Sequence, residues 1–225
     1  MKLYVLNTRM GLNIKNESVI FAGYNFLKMK RFFVFILASS LYSSICDAQT
    51  SSSKLPEMDK SPMDMSYYPD SYPVLKIQGK VTEPVVARVI YSRPQKNDRL
   101  IFGGLVEYGK VWRLGANEAT EIEFYKDVKI GGKKITKGRY TLYALVNPDT
   151  WTMILNKDVD TWGAFKYDEK KDVLRTNVPV LKNTEVAEAL GISFEPVSST
   201  AGKSSKTFNL TVAWDSVRVS LPIVF

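Results

Sequence analysis

The chain has 225 residues, 45% of them hydrophobic and 12% aromatic, with a formal net charge of +8. That length and apolar share fit one globular domain plus a tail and exclude a disordered chain. There is no histidine and a single cysteine, which excludes Ser-His-Asp and Cys-His catalysis, histidine-ligated metals and four-cysteine zinc sites.

The first predicted element is a targeting segment. Lys28, Lys30 and Arg31 precede an apolar run from Phe32 to Leu41, and small and polar residues lead to Ala48-Gln49. A basic stretch, a short apolar run and a small residue at its end describe a secretory signal peptide. It is read here over residues 1–48, with cleavage after Ala48 and Met29 as the true start. The run is too short to span a bilayer as a helix. Lipidation of Cys46 is the alternative, but Ile45 is a poor fit to the small residue usually needed before it. The expected destination is the periplasm or cell envelope.

Cleavage changes the charge. Residues 1–48 carry Lys2, Arg9, Lys15, Lys28, Lys30 and Arg31 against Glu17 and Asp47, so the mature chain keeps a net charge of +4. With no Lys/Arg cluster, nucleic acid is not an expected partner. Cys46 leaves with the signal, and the mature stability rests on core burial without a disulfide.

Residues 49–73 show no apolar periodicity, and Pro56, Pro62, Pro69 and Pro73 argue against a helix or a central strand. An extended or disordered arm is expected there, packed on the domain through Tyr67, Tyr68 and Tyr72. From Val74 to Phe225 the pattern is short β runs with turn signals. Val85–Tyr91 is rich in β-branched residues and stops at Arg93-Pro94. Val128–Ile130 meets Lys133–Ile135 across Gly131-Gly132, whose glycines permit the positive φ of a tight hairpin. Lys137-Gly138 turns into Arg139–Val146, and Pro148-Asp149 turns into Trp151–Leu155.

Near the end, Phe208, Leu210, Val212 and Trp214 alternate with polar or small residues, and Val217, Val219, Leu221, Ile223 and Phe225 do so after Asp215-Ser216. Period two places each set on one face of a sheet. Thr184–Leu190 offers at most a turn or two of helix. Nine to eleven strands with short turns predict an all-β fold: a single antiparallel β-sandwich or jelly-roll-like domain, with a closed barrel as the alternative. Short strands without aromatic girdles argue against a transmembrane barrel.

The densest candidate site is Val111–Phe124. Gly115-Ala116-Asn117 reads as a bend displaying Arg113, Asn117, Glu118 and Thr120 beside Trp112. A guanidinium, an amide and a carboxylate near an indole suit a sugar or a small anion. Glu118 would serve as acid or base if burial shifted its pKa. The competing reading is structural, a buried Arg113–Glu118 ion pair with Asn117 bonding the turn. Trp162–Tyr167 is a further candidate, with Trp162 able to stack on a sugar face. Asn156, Asp158 and Asp160 alternate as in a calcium loop, but Thr161 stands where such a loop needs glycine. Met58, Met63 and Met65 are soft ligands for Cu(I); anchorage of the arm by apolar contact is the expected role. No metal and no cofactor is expected.

Ser61-Pro62-Met63-Asp64, Tyr91–Gln95, Arg99–Gly103, Val111–Thr120, Lys137–Leu142 and Trp162-Gly163 together resemble the uncharacterised bacterial family called domain of unknown function 2911. The resemblance covers about residues 59–225, and Trp112–Asn117 is its most specific part. Glu107 stands where many members have a proline. The resemblance implies a secreted β-rich domain and no particular activity.

Two function classes follow. The leading one is a periplasmic, non-catalytic β-sandwich that binds a small molecule, glycan or envelope partner through Trp112, Arg113, Asn117, Glu118, Thr120 and Trp162. The alternatives are a carboxylate-dependent glycan hydrolase with Glu118 as acid or base, and a purely structural envelope protein.

Overall fold

Period-two alternation sets the architecture. The computed structural model describes residues 55–197 and 206–225; the signal peptide, Met29, Cys46 and the cleavage point after Ala48 lie outside them. Among the described residues eleven strands run in chain order: β1 (Met63–Tyr68), β2 (Ala87–Ser92), β3 (Val111–Trp112), β4 (Glu121–Phe124), β5 (Val128–Ile130), β6 (Lys133–Ile135), β7 (Gly138–Leu145), β8 (Thr150–Asn156), β9 (Asp172–Pro179), β10 (Leu181–Pro196) and β11 (Thr207–Val224). One sheet has the order β1-β2-β4-β7-β8-β9 with β3 also on β7, and the other β10-β11-β5-β6. The pairings are antiparallel throughout. The all-β sandwich read from the sequence is the fold, and residues 57–225 form one compact unit.

A single apolar core fills the space between the sheets. The alternating set Phe208, Leu210, Val212 and Trp214 is buried, as are Val219, Leu221 and Ile223. These sets differ in parity, yet both face the core. The slip occurs at Asp215, whose φ is 54°, opposite a register shift between Ala187 and Gly191. β11 runs through Asp215 as one continuous strand, and the surplus residues of the flanking register shifts lie on β10. Gly131 and Gly132 have φ of 56° and 80°, as the predicted β5–β6 hairpin requires.

Three local expectations are corrected. Tyr72–Ile77 is a short helix, α1, with its proline in the first turn; there Pro73 has no hydrogen bond to lose and its fixed φ suits the helix. Thr184–Leu190 is strand, held by β11. Met58, Met63 and Met65 do not anchor by burial: they are 87%, 52% and 49% exposed. The anchor is Tyr68, whose ring stacks on Phe208 at 4.0 Å. Pro62 and Pro69 flank β1, which lies at the edge of its sheet, where proline is tolerated. Among the described residues no helix is long and apolar enough to cross a membrane.

The tyrosines make the fold alkali-sensitive. Burial pushes the phenols of Tyr68, Tyr91, Tyr125, Tyr143 and Tyr167 above their ordinary value of 10.0, Tyr125 to about 12. The unfolded chain therefore releases these protons first. Their contribution is complete below pH 10 and falls as pH rises through the folded values. Stability is expected to decline above pH 10 and to drop further toward pH 12. Tyrosinate absorbance and chemical denaturation followed across that range check this; a flat stability profile would contradict it.

Candidate functional site

The Gly115–Asn117 bend is built under strain. Leu114 and Asn117 both have left-handed backbones, with φ of 57° and 56°. Asn tolerates that region, but Leu114 is a fully buried branched residue there. Such a conformation costs roughly 1–2 kcal/mol. Thr120 repays part of this structurally: its hydroxyl donates to the Leu114 carbonyl at 2.8 Å, and its amide donates to the Arg113 carbonyl at 3.0 Å. Thr120 is fully buried, so it shapes the bend and is closed to a ligand.

Residues 157–171 fold back on the outer face of the larger sheet. The amide of Ala119 donates to the Thr161 carbonyl at 3.0 Å, that of Gly163 to the Asn117 carbonyl at 2.9 Å, and Glu118 and Trp162 form an antiparallel bridge. Beneath this segment Ala119, Tyr143 and Ile154 make a second small apolar cluster, with Val111, Leu145, Ala164 and Tyr167 packed against it. The two stretches singled out in the sequence are thus in contact, joined through backbone.

Their side chains do not converge on one site. Trp112 belongs to the core, 8% exposed; its indole stacks on Trp214 at 6.0 Å and donates to the Gly115 carbonyl at 3.1 Å. Arg113 is half-buried and lines a cavity of about 310 Å³ with Leu105, Glu107, Lys110, Trp112 and Phe165. Glu118 is exposed and lines a different cavity of about 280 Å³ with Met63, Ile90, Glu121, Asp160 and Thr161. Asn117 acts through its carbonyl, and Trp162, 61% exposed, lies outside both linings.

The electrostatics separate the two cavities further. Among the described residues no acid pairs with Arg113, and its buried Nε has no hydrogen-bond partner. Burial, with no acid beside it in compensation, lowers the Arg113 pKa below its ordinary value. The buried Arg113–Glu118 pair of the structural reading is therefore not formed. In the second cavity Arg139 sits 3.4 Å from Glu121 and bonds Asp160, while among the described residues no cation pairs with Glu118. The calcium-like triplet is occupied locally: Asn156 accepts from the Asp158 amide, Asp158 pairs with Lys171, and Asp160 with Arg139.

The family model for DUF2911, a protein of unknown function, matches residues 73–223. The chain belongs to the DUF2911 family. No curated protein and no solved structure matches it significantly. Sequence reading missed Leu105, Glu107 and Lys110 as neighbours of Arg113. They come from the segment between β2 and β3, which has no periodicity; Phe102 and Val106 form a local bridge there, and the Gly109 amide ties the segment to the Val146 carbonyl at 2.9 Å.

Proposed function

We propose that this DUF2911 domain is a non-catalytic, secreted binding module of the periplasm or cell envelope, and that Arg113 anchors an anionic small ligand in its cavity. The observation that carries the reading is the half-buried Arg113 guanidinium, whose buried Nε has no hydrogen-bond partner. A desolvated cation without a partner destabilises a fold, yet here it lines an open cavity beside a strained bend. Backbone outliers concentrate at functional sites, and a carboxylate or similar oxyanion would supply the missing partner through charge-assisted hydrogen bonds. Secretion rests on the signal-peptide pattern of residues 1–48.

Arg113→Met tests the anchor. Removing an unpaired, half-buried cation is expected to leave the melting temperature unchanged or raise it, as residues kept for function rather than stability do. In a thermal-shift screen of small carboxylates, sulfonates and phosphate monoesters, at least one compound should stabilise the wild type and have no effect on Arg113→Met. Stabilisation by neutral or cationic compounds only, or equal response of the variant, overturns the reading. Glycan turnover lost in Glu118→Gln would replace it with the hydrolase reading. The unpaired Glu118 beside Glu121 and Asp160 favours that alternative, while its exposure removes the desolvation that general acids draw on.

A further inference from the structure

We propose that the ligand of the Arg113 cavity is a small aromatic monocarboxylate; this rests on the anion-binding reading above. The charged groups lining the cavity are Arg113, Lys110 and Glu107, a net of one positive charge. A single negative charge balances that set, whereas a dianionic phosphate would carry excess charge against Glu107. Planar carboxylate oxygens also match the fork of a guanidinium, which otherwise has no acceptor here.

The aromatic part of the ligand is read from Phe165. Its ring is 84% exposed, so folding gains little from it, and it lies close over Gly163. Gly163 has φ +68°, and a Cβ built on it would stand 2.6 Å from Cε2 and 2.8 Å from Cδ2 of Phe165. The ring lies against the bare glycine backbone and can hold that position only because residue 163 has no side chain. The ring offers a flat apolar face at the edge of the cavity, with Leu105, 51% exposed, in the same lining. A ring stacked on such a face gains attraction beyond that of area burial alone. A cavity of about 310 Å³ lies at the small end of ligand-pocket sizes and suits a ligand of one ring and one carboxylate.

Calorimetric titration of the purified protein with four probes tests this: phenylacetate, phenylacetamide (the ring without the charge), hexanoate (the charge without the ring) and inorganic phosphate. Phenylacetate is expected to bind on the order of tenfold more tightly than either partial analogue, with phosphate weakest. Arg113→Met should erase the advantage over the amide, and Phe165→Ala the advantage over hexanoate. The wild-type comparison alone decides the charge requirement if either variant fails to fold. Hexanoate or phosphate binding as tightly as phenylacetate, lost in Arg113→Met, would overturn the aromatic class and leave the anion site standing. Probe binding that ignores Arg113, or no binding of phenylacetate, would overturn the aromatic proposal; in the first case the anion site falls with it.

Discussion

Trp112→Ala is expected to lower the melting temperature by on the order of 10 °C, while Arg113→Met beside it lowers nothing. Trp112 is at the centre of an aromatic cluster: it stacks on Trp214 at 6.0 Å and meets Trp151 and Phe102 edge-on at 5.9 and 6.1 Å. Emptying such a site costs about 3–5 kcal/mol, and each kcal/mol shifts the midpoint by about 2–4 °C in a domain of this size. Trp112→Phe keeps part of the apolar volume but leaves the Gly115 carbonyl without the indole proton it accepts at 3.1 Å, so an intermediate loss is expected. Circular-dichroism melts of the three variants check the series. A loss under roughly 3 °C for Trp112→Ala, about one kcal/mol on that scale, would mean the indole is not a core element. The contrast between neighbours follows from their surroundings: Trp112 ends β3 with its ring in the aromatic core, while Arg113, just beyond the strand, is half-buried at the cavity.

The sequence made the sheets legible wherever hydrophobic alternation and turn chemistry agreed. Phe208–Trp214, the Gly131-Gly132 hairpin and the Arg139–Val146 run needed no tertiary information. It misled where one signal had two physical causes. The parity slip at Asp215 looks the same for a chain break and for an unbroken strand, and only the pairing with β10 separates them. A proline excludes a helix in its interior but starts one at its first turn, which Pro73 does. In the candidate site, the Trp112–Thr120 stretch mixes three destinies: core for Trp112, bend architecture for Thr120 and Asn117, and two separate cavities for Arg113 and Glu118. No one-dimensional pattern reports that Arg113 and Phe165 line one cavity, because that arrangement depends on residues 157–171 docking on the outer face of the sheet.

That docking gives the second large effect. Asp172→Ala is expected to cost about 3 kcal/mol, the sum of buried donors left unpaired at about 1–3 kcal/mol each, and to weaken ligand binding at the Arg113 cavity. The Asp172 carboxylate, 7% exposed, accepts from the Asn156 amide at 2.7 Å, the Tyr167 hydroxyl at 2.5 Å and Arg175 Nη1 at 3.0 Å. Asn156 is fully buried at the end of β8, and Tyr167 closes the segment that carries Phe165, its ring edge-on to Tyr143 at 5.2 Å. The carboxylate therefore ties the returning segment to two strands at once. Asp172→Asn keeps the shape but turns an amide group toward donors, so it should recover only part of the loss. Tyr167 supplies the local readout. Burial first and the Asp172 hydrogen bond second push its phenol above the ordinary range; removing the carboxylate should bring its ionisation down while burial still holds it above 10.0. A melting loss with Tyr167 ionisation unchanged would mean that Asp172 acts elsewhere. Loss of both together would show that the position of Phe165, and with it the shape of the cavity, is set from a strand that never touches the ligand.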